Sequence, residues 1–286
     1  MNVLIIGASG LVGSNLYEIF RQNNQEGINL GTHLSFSTSY SVYFNTLEEV
    51  PNGINGKKWD IIIHTGALTN VDQCEVDQVL SYQLTVMSTK MLLLLAKKNN
   101  SKFVYISTDY VFNGEYGPYK ESDKVDPLNV YGKHKLESEK VVSEYTDHLI
   151  LRITNVYGNE IRNKNFISRV LDYIKQKEHI EIEAPVDQFA TPVNAADVAR
   201  AIYVLVENNK TGIYHLASTD YLSRVQLLQR INVYYENKVK IIPIKTVSLN
   251  QAARRPLCGG LIAAKFTSEY PDFIFSNVDD YLKNQK

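Results

Sequence analysis

The sequence predicts an α/β fold built on a doubly wound, mostly parallel sheet, and three observations support this prediction. Short apolar runs, such as residues 3–6 and 61–63, alternate with longer stretches of helical periodicity. The runs are continuously apolar, which is typical of parallel strands that are buried on both faces. The first run leads into a glycine-rich turn at residues 7–13 that opens a helix, as dinucleotide-binding folds require.

The composition indicates a globular protein of one large or two smaller domains. Its 286 residues are 44% apolar and 21% charged, which is enough to bury a sizeable core. A formal net charge of -1 argues against nucleic acid or an anionic membrane as a partner. Cys74 and Cys258 lack metal-ligand spacing, so we expect reduced thiols and no metal site. The start of the chain lacks a basic signal region, and the apolar run 91–96 is too short to span a bilayer, so we expect the cytoplasm.

The first strand, residues 3–6, is followed by glycines at positions 7, 10 and 13. Such a turn allows the backbone to approach a pyrophosphate that sits on the N-terminus of the following helix. A plain turn between a strand and a helix is the weaker alternative. The residues expected to contact a dinucleotide here are Gly7, Ser9, Gly10, Leu11, Val12 and Gly13.

The second strand, predicted at 28–34, bears on the choice between NAD and NADP. An NAD site usually offers an acid to the ribose 2′-hydroxyl, but no acid occurs between Glu26 and Glu48. Thr32 and His33 can donate hydrogen bonds instead. This pattern favours NADPH, with NADH as an alternative, although no arginine between Arg21 and Arg152 offers a phosphate clamp.

Further strands are predicted at 59–64 and 102–107, with a helix over about 77–98 between them. The first of these strands closes in Thr65, Gly66 and Ala67, and the second delivers Thr108. Because the carboxyl ends of parallel strands meet at one edge of a sheet, we expect these turns to line a single crevice together with the glycine turn.

The most informative stretch, Val104 to Lys140, combines Thr108 with a helix predicted to begin at Tyr131. Tyr131 and Lys135 lie one turn apart on one helical face, where the ammonium would favour the phenolate. Such a pair can pass a proton to a carbonyl oxygen that the Thr108 hydroxyl holds. Alone, the Tyr–Lys spacing also fits a half-exposed helix face.

The C-terminal part is predicted to be mixed α/β. The predicted elements are strands at 149–153, 180–183, 212–217 and 241–244, helices at 165–177, 194–208 and 221–236, and a loop at 185–192. Arg254 and Arg255 form the only basic pair in the tail. They are interpreted either as a solvated face or as partners for a second diphosphate, and the sequence leaves both open.

Seven segments together resemble the extended short-chain dehydrogenase/reductase superfamily, and more narrowly the dTDP-4-dehydrorhamnose reductase family. The resemblance covers essentially the whole chain, and STDYVF followed by the YGKxK pattern is its most specific part. The segments are GASGLVGSNL (7–16), STDYVFNG (107–114), PLNVYGKHKLESEK (127–140), RITNVYG (152–158), VDQFATPVNAADVARAI (186–202), GIYHLAS (212–218) and RRPLCGGL (254–261).

The resemblance implies a Rossmann-type domain for NAD(P)H over residues 1–155, completed by 194–218. Residues 156–286 would then form mainly a smaller substrate-binding α/β region. Tyr131 would protonate a keto oxygen, Lys135 would hold the nicotinamide ribose and lower the phenol pKa, and Thr108 would bind the oxygen. The cofactor would also touch Thr32, His33, Thr65, Gly66 and Ala67. A nucleotide-diphosphate sugar would be bound by Thr69, Asp109, Val111, Phe112, Asn155, Gln188 and Arg255.

The implied reaction is the NADPH-dependent reduction of the C4 keto group of a nucleotide-diphospho-4-keto-6-deoxysugar, above all dTDP-4-dehydro-L-rhamnose, for polysaccharide biosynthesis. A sugar-nucleotide epimerase or dehydratase of the same fold is one alternative, but a dehydratase usually has Asp-Glu where Asp109 and Tyr110 follow Thr108. The other is a non-catalytic NADP-binding subunit resembling the methionine adenosyltransferase β subunit. Members of the family often dimerise, so a homodimer is a possible state.

Overall fold

Seven parallel strands form the central sheet of the computed structural model, which describes residues 1–177 and 179–285. Their order is β3-β2-β1-β4-β5-β6-β9, so the chain winds outward from β1 in both directions. The predicted doubly wound α/β sheet is therefore confirmed. The strands are β1 (Val3–Ile6), β2 (Asn29–His33), β3 (Ser41–Tyr43), β4 (Ile61–His64), β5 (Lys102–Thr108), β6 (His148–Ile153), β7 (Ile180–Pro185), β8 (Phe189–Ala190), β9 (Gly212–His215), β10 (Leu222–Ser223) and β11 (Val239–Ile244).

Helices cover both faces of this sheet. Alternate residues of β1 point to opposite sides, so Ile5 joins a core with Phe20 and Ile202, whereas Leu4 packs with Leu92. The helices are α1 (Leu11–Asn23), α2 (Asn52–Asn55), α3 (Val71–Val76), α4 (Gln78–Tyr82), α5 (Ser88–Asn99), α6 (Val130–Ser143), α7 (Phe166–Gln176), α8 (Ala195–Glu207), α9 (Arg224–Tyr234), α10 (Ala264–Glu269) and α11 (Val278–Lys283).

Asparagine caps mark the beginning of several of these helices, among them α6, α7 and α8. The side-chain oxygens of Asn129, Asn165 and Asn194 accept hydrogen bonds from backbone N–H groups in the first turns of α6, α7 and α8. The predicted cap at Asn194 is confirmed. Asn129 also donates to the Arg254 carbonyl at 2.8 Å, which ties the start of α6 to the tail.

The helix predicted over about 77–98 is present but less regular than expected. A separate α3 precedes it, and a π-helical turn, Gln83–Met87, joins α4 to α5. Within the described residues, Gln78–Asn99 is long and apolar enough to cross a membrane by length and composition, with a mean hydropathy of 1.4. Half of this apolar stretch is buried inside the protein, where α5 packs against β4, β5 and α6. The core helix of a globular protein has the same length and composition.

A second, smaller core lies in the C-terminal half. Strands β7 and β11 pair in parallel, and α7, α9 and α11 pack Leu171, Leu228 and Leu282 together. The prediction of a simple loop at 185–192 was wrong, because β8 lies within it and pairs with β10 in antiparallel fashion. For the same reason the helix predicted from residue 221 begins only at Arg224.

A buried ion pair fastens α6 to the central sheet. Arg152 on β6 donates from Nε and Nη2 to the two carboxylate oxygens of Glu139 at 2.9 and 2.7 Å, and both side chains are only 4% exposed. The Arg152 Nη1 lies 3.4 Å from Nε2 of His215 on β9, and the guanidinium stacks over the Phe112 ring. Each charge is therefore satisfied inside the fold.

Replacing Arg152 with Met should lower the unfolding free energy by about 3–5 kcal/mol, because Glu139 is left as a buried charge without its partner. Urea denaturation of the variant and the parent protein measures this difference. The double variant with Met at both positions is the matched control and should recover much of the loss, since it buries no charge. A loss of less than about 1 kcal/mol in the single variant would contradict this account.

Candidate active site

The turn after β1 has the geometry that a dinucleotide diphosphate needs. Gly7 has a φ of +79°, and a Cβ there would lie 3.0 Å from the Gly66 nitrogen. A Cβ on Gly13 would lie 2.3 Å from the Gly7 oxygen, so only glycine lets α1 pack this closely. Gly10 precedes α1 without a side-chain cap, which leaves the first N–H groups of the helix available to an anion.

The side chains at the end of β2 are already engaged within the protein. The Thr32 hydroxyl accepts a hydrogen bond from the Gly7 N–H at 3.3 Å, and His33 Nδ1 lies 2.8 Å from the Ser41 hydroxyl. These contacts help to hold the turn itself, and contact of Thr32 and His33 with a cofactor stays a prediction. The half-buried Ser9, Leu11 and Val12 line the same turn.

The turn after β4 lies against the glycine turn, as predicted. The Thr65 hydroxyl donates to the Ile6 carbonyl at 2.7 Å, so it joins the ends of β1 and β4 instead of pointing at a ligand. Gly66 and Ala67 are half-buried beside it, and Thr69 is exposed at the rim. The predicted convergence of these turns on one crevice is confirmed.

Thr108 and Tyr131, which are predicted to bind and protonate a keto oxygen, lie near each other in the crevice. Thr108 ends β5, and its hydroxyl interacts with the Tyr131 phenol and lowers the phenol pKa. Burial has the larger effect and raises the pKa of Tyr131 above its ordinary value, and Asp109 raises it further. The Tyr110 ring meets the Tyr131 ring edge-on at 5.7 Å between centroids and so restricts its orientation.

Lys135 lies deeper than the Tyr–Lys spacing suggests. Its Nζ donates to the Ile106 carbonyl at 2.5 Å and sits 4.1 Å from the centroid of the Tyr105 ring. Burial lowers the pKa of Lys135 to about 7, which Glu139 partly offsets. The ammonium is thus directed at the Ile106 carbonyl, and its lowering of the Tyr131 pKa stays a prediction.

Asp109 is buried and connects three segments of the chain through hydrogen bonds. Its Oδ2 accepts hydrogen bonds from the Thr154 hydroxyl at 2.7 Å and from the Gly260 N–H at 3.2 Å, so it links the ends of β5 and β6 to the tail. Burial raises the pKa of the carboxyl. The side chains of Val111 and Phe112 are fully buried in the core. Any contact that these two residues make with a substrate must therefore come from the backbone.

Arg255 already has partners within the protein, and its contact with the nucleotide sugar stays a prediction. Arg255 donates to the Asp72 carboxylate at 2.7 Å and to the Ala253 carbonyl at 3.2 Å, so its charge is largely neutralised. Asn155 and Gln188 instead line a cleft that also contains Arg224. No local pattern in the sequence indicated Arg224, because it lies 69 residues from its partner Asn155.

These contacts describe a crevice suited to carbonyl reduction. A diphosphate fits the uncapped helix, and a phenol and a hydroxyl stand together at the end of β5. Within the described part of the chain, no group of three or more His, Cys, Asp or Glu side chains could hold a metal. A family model described as the RmlD substrate binding domain matches residues 1–273.

The chain belongs to this family.

Relatives support the same assignment. The dTDP-4-dehydrorhamnose reductase of Escherichia coli strain K12 is 32% identical, over 94% of this chain and 92% of its own. The structure of dTDP-4-dehydrorhamnose reductase from Bacillus anthracis in complex with NADP has a TM-score of 0.81 at 26% identity, and 99% and 97% of the two chains are covered. The methionine adenosyltransferase 2 subunit beta of Danio rerio is 28% identical over 89% and 80% of the chains. The predicted family is confirmed, and the predicted NAD(P)H-dependent oxidoreductase agrees with these names.

Replacing Lys135 with Met should remove part of the pH dependence of stability. The pKa of Lys135 is about 7 in the folded protein against an ordinary value of 10.5, so the unfolded chain binds more protons between these values. Its contribution makes the unfolding free energy rise by about 2 kcal/mol from pH 7 to pH 9. Urea denaturation at both pH values measures this rise.

In the Lys135→Met variant this part of the rise should disappear, whereas Lys133→Met, an exposed position on the same helix, should keep it. An equal rise in both variants and in the parent protein would show that Lys135 does not titrate in this range.

Proposed function

We propose that this protein catalyses the NADPH-dependent reduction of the C4 keto group of dTDP-4-dehydro-L-rhamnose to give dTDP-L-rhamnose. The observation that carries the proposal is geometric: Thr108 ends β5 at the same edge of the sheet as the glycine turn, and Tyr131, which the Tyr110 ring meets edge-on, lies in the first turn of α6, which packs on β5. The E. coli relative is named for this reaction. The C-terminal region around β7–β11 would bind the nucleotide sugar.

In this reaction the protein itself supplies the proton that the keto oxygen takes up. When bound, the cofactor supplies the hydride to C4. Tyr131 gives its phenol proton to the keto oxygen, and its raised pKa keeps that proton in place until charge develops on the oxygen. Thr108 donates a hydrogen bond to the same oxygen and stabilises the developing charge. Asp109, held by Thr154 and Gly260, fixes the backbone that presents Thr108.

A cation from a distant loop supports NADPH as the cofactor. The Arg162 guanidinium lies 5.6 Å from the centroid of the Phe36 ring, in the loop that follows β2. The loop that carries Arg162 also reaches α1, where Asn15 Nδ2 donates to the Asn159 carbonyl at 3.5 Å. An adenosine 2′-phosphate is expected after β2, where no carboxylate stands, so Arg162 can supply the phosphate partner that the sequence between Arg21 and Arg152 lacks.

Replacing Arg162 with Gln should weaken NADPH binding by about tenfold or more and leave NADH binding unchanged, because only NADPH carries the 2′-phosphate. Calorimetric titration of the purified variant with each cofactor measures the two affinities. The matched control is Arg21→Gln, since Arg21 is paired with Glu18 in the last turn of α1. Equal losses for both cofactors, or no loss, would refute this role of Arg162.

The decisive activity test mixes the purified protein with NADPH and dTDP-4-dehydro-L-rhamnose and follows the absorbance of NADPH. Replacing Tyr131 with Phe should lower kcat by about 100-fold or more, because the proton donor is lost. The Tyr173→Phe variant is the control, since Tyr173 is exposed on α7.

Absence of turnover with NADPH binding intact would reject this substrate. In that case the likeness to the Danio rerio subunit favours a regulatory, NADP-binding partner protein, and pull-down with a methionine adenosyltransferase would be the next measurement. Turnover that survives the loss of the Tyr131 hydroxyl would instead reject the proton donor.

A further inference from the structure

A glutamate from another helix holds the start of α6, the helix that carries Tyr131. Glu75 on α3 accepts a hydrogen bond from the Val130 N–H at 3.0 Å. Val130 is the first residue of α6 and directly precedes Tyr131 along the chain. The first N–H groups of a helix have no partner within the helix, and a carboxylate there also complements the positive end of the helix dipole. Glu75 therefore anchors the turn from which the phenol projects.

The other acceptor at this helix start is local. The Asn129 side-chain oxygen accepts a hydrogen bond from the Gly132 N–H at 2.9 Å, and both residues belong to the same turn. Glu75 instead reaches Val130 across 55 residues of chain. The cap thus decides where the helix begins along the chain, whereas Glu75 ties that beginning to a fixed point in the fold.

Helix α3 is itself firmly held, so Glu75 has a stable base. Asp72 accepts hydrogen bonds from the Ala253 N–H at 3.0 Å and from the Arg255 guanidinium at 2.7 Å. Cys74, between the two acids, is fully buried. The side chains of Asp72 and Glu75 therefore join α3 to the tail on one side and to α6 on the other.

The first turn of α6 also has little room to shift. A Cβ on Gly132 would lie 2.2 Å from the Tyr110 carbonyl oxygen, so the two backbones are in close contact. Tyr110 follows Thr108 by two residues, and its ring meets the Tyr131 ring edge-on. Movement of the helix start therefore changes the placement of Tyr131 relative to Thr108. A misplacement of about 1 Å can cost about 100-fold in rate.

We propose that Glu75 is a positioning residue for Tyr131, because its hydrogen bond to the Val130 N–H sets the place of the phenol opposite Thr108. This inference rests on the proposed function insofar as it takes Tyr131 to be the proton donor. Glu75 acts through the backbone of α6, so its loss affects the step in which the proton moves and not the binding of either substrate.

Steady-state kinetics of Glu75 variants test this role. Glu75→Ala should lower kcat by about tenfold or more and leave the KM values for NADPH and for the keto sugar within about twofold. Glu75→Gln should keep most of the activity, since its side-chain oxygen can still accept from the Val130 N–H. Glu144→Ala, at the exposed end of α6, controls for loss of a negative charge.

A further variant separates the reach of the side chain from its charge. Glu75→Asp keeps the charge but is one methylene shorter, so kcat should fall further than in Glu75→Gln. This comparison also decides the matter if Glu75→Ala does not fold, which circular dichroism checks. Parent-like kcat in the Ala or Asp variant, a rise in KM without a fall in kcat, or a larger loss in Gln than in Asp would overturn the proposal.

Hydrogen exchange gives a readout that needs no turnover. In Glu75→Ala the backbone N–H groups of residues 130–133 should exchange about tenfold faster or more, while those of 139–143 keep the parent rate. Glu75→Gln should resemble the parent protein. Unchanged exchange at the helix start would overturn the anchoring. If exchange changes as expected but the parent protein reduces no keto sugar, the anchoring by Glu75 stands and only the proposed function falls.

Discussion

The buried ion pair between Glu139 and Arg152 fixes the orientation of the helix that carries Tyr131. Helix α6 carries Tyr131 at its start and Glu139 two turns later, so fastening Glu139 to β6 decides which face of the helix meets the crevice. A buried charge pair of this kind is costly unless every donor and acceptor is satisfied. Here the contact with His215 and the stack on Phe112 complete the network, which extends it to β9 and to the segment after Thr108.

The floor of the crevice and the outer cavity have opposite electrostatic character. In the floor, burial lowers the pKa of Lys135 to about 7 and the pKa of His64 to about 3, and it raises the pKa of Tyr131. Burial therefore favours the neutral forms of these three side chains, as expected of a site that excludes water. The outer cavity, by contrast, is lined by the guanidinium groups of Arg169 on α7 and Arg224 on α9.

Much of the candidate site could be predicted because its signals are local. Gly7 must adopt a positive φ, Asn194 caps the helix that follows it, and Thr108 ends an apolar run. Each of these features depends on a few neighbouring residues, so the sequence indicates it directly. The alternation of such segments then determines the parallel sheet and places three turns at one edge. The two-residue strands β8 and β10 were missed because their pairing is not local.

The sequence by itself therefore determined the family and which turns follow the strands at the crevice. It also identified Tyr131 and Thr108 as the candidate phenol and hydroxyl. Only the tertiary structure decided the partners of the long charged side chains. Lys135 reaches the Ile106 carbonyl, Arg255 pairs with Asp72, and Arg162 stacks on Phe36. The physical reason is that an ammonium or guanidinium on a long, flexible stem can satisfy its charge in many directions, and packing between distant segments selects one of them.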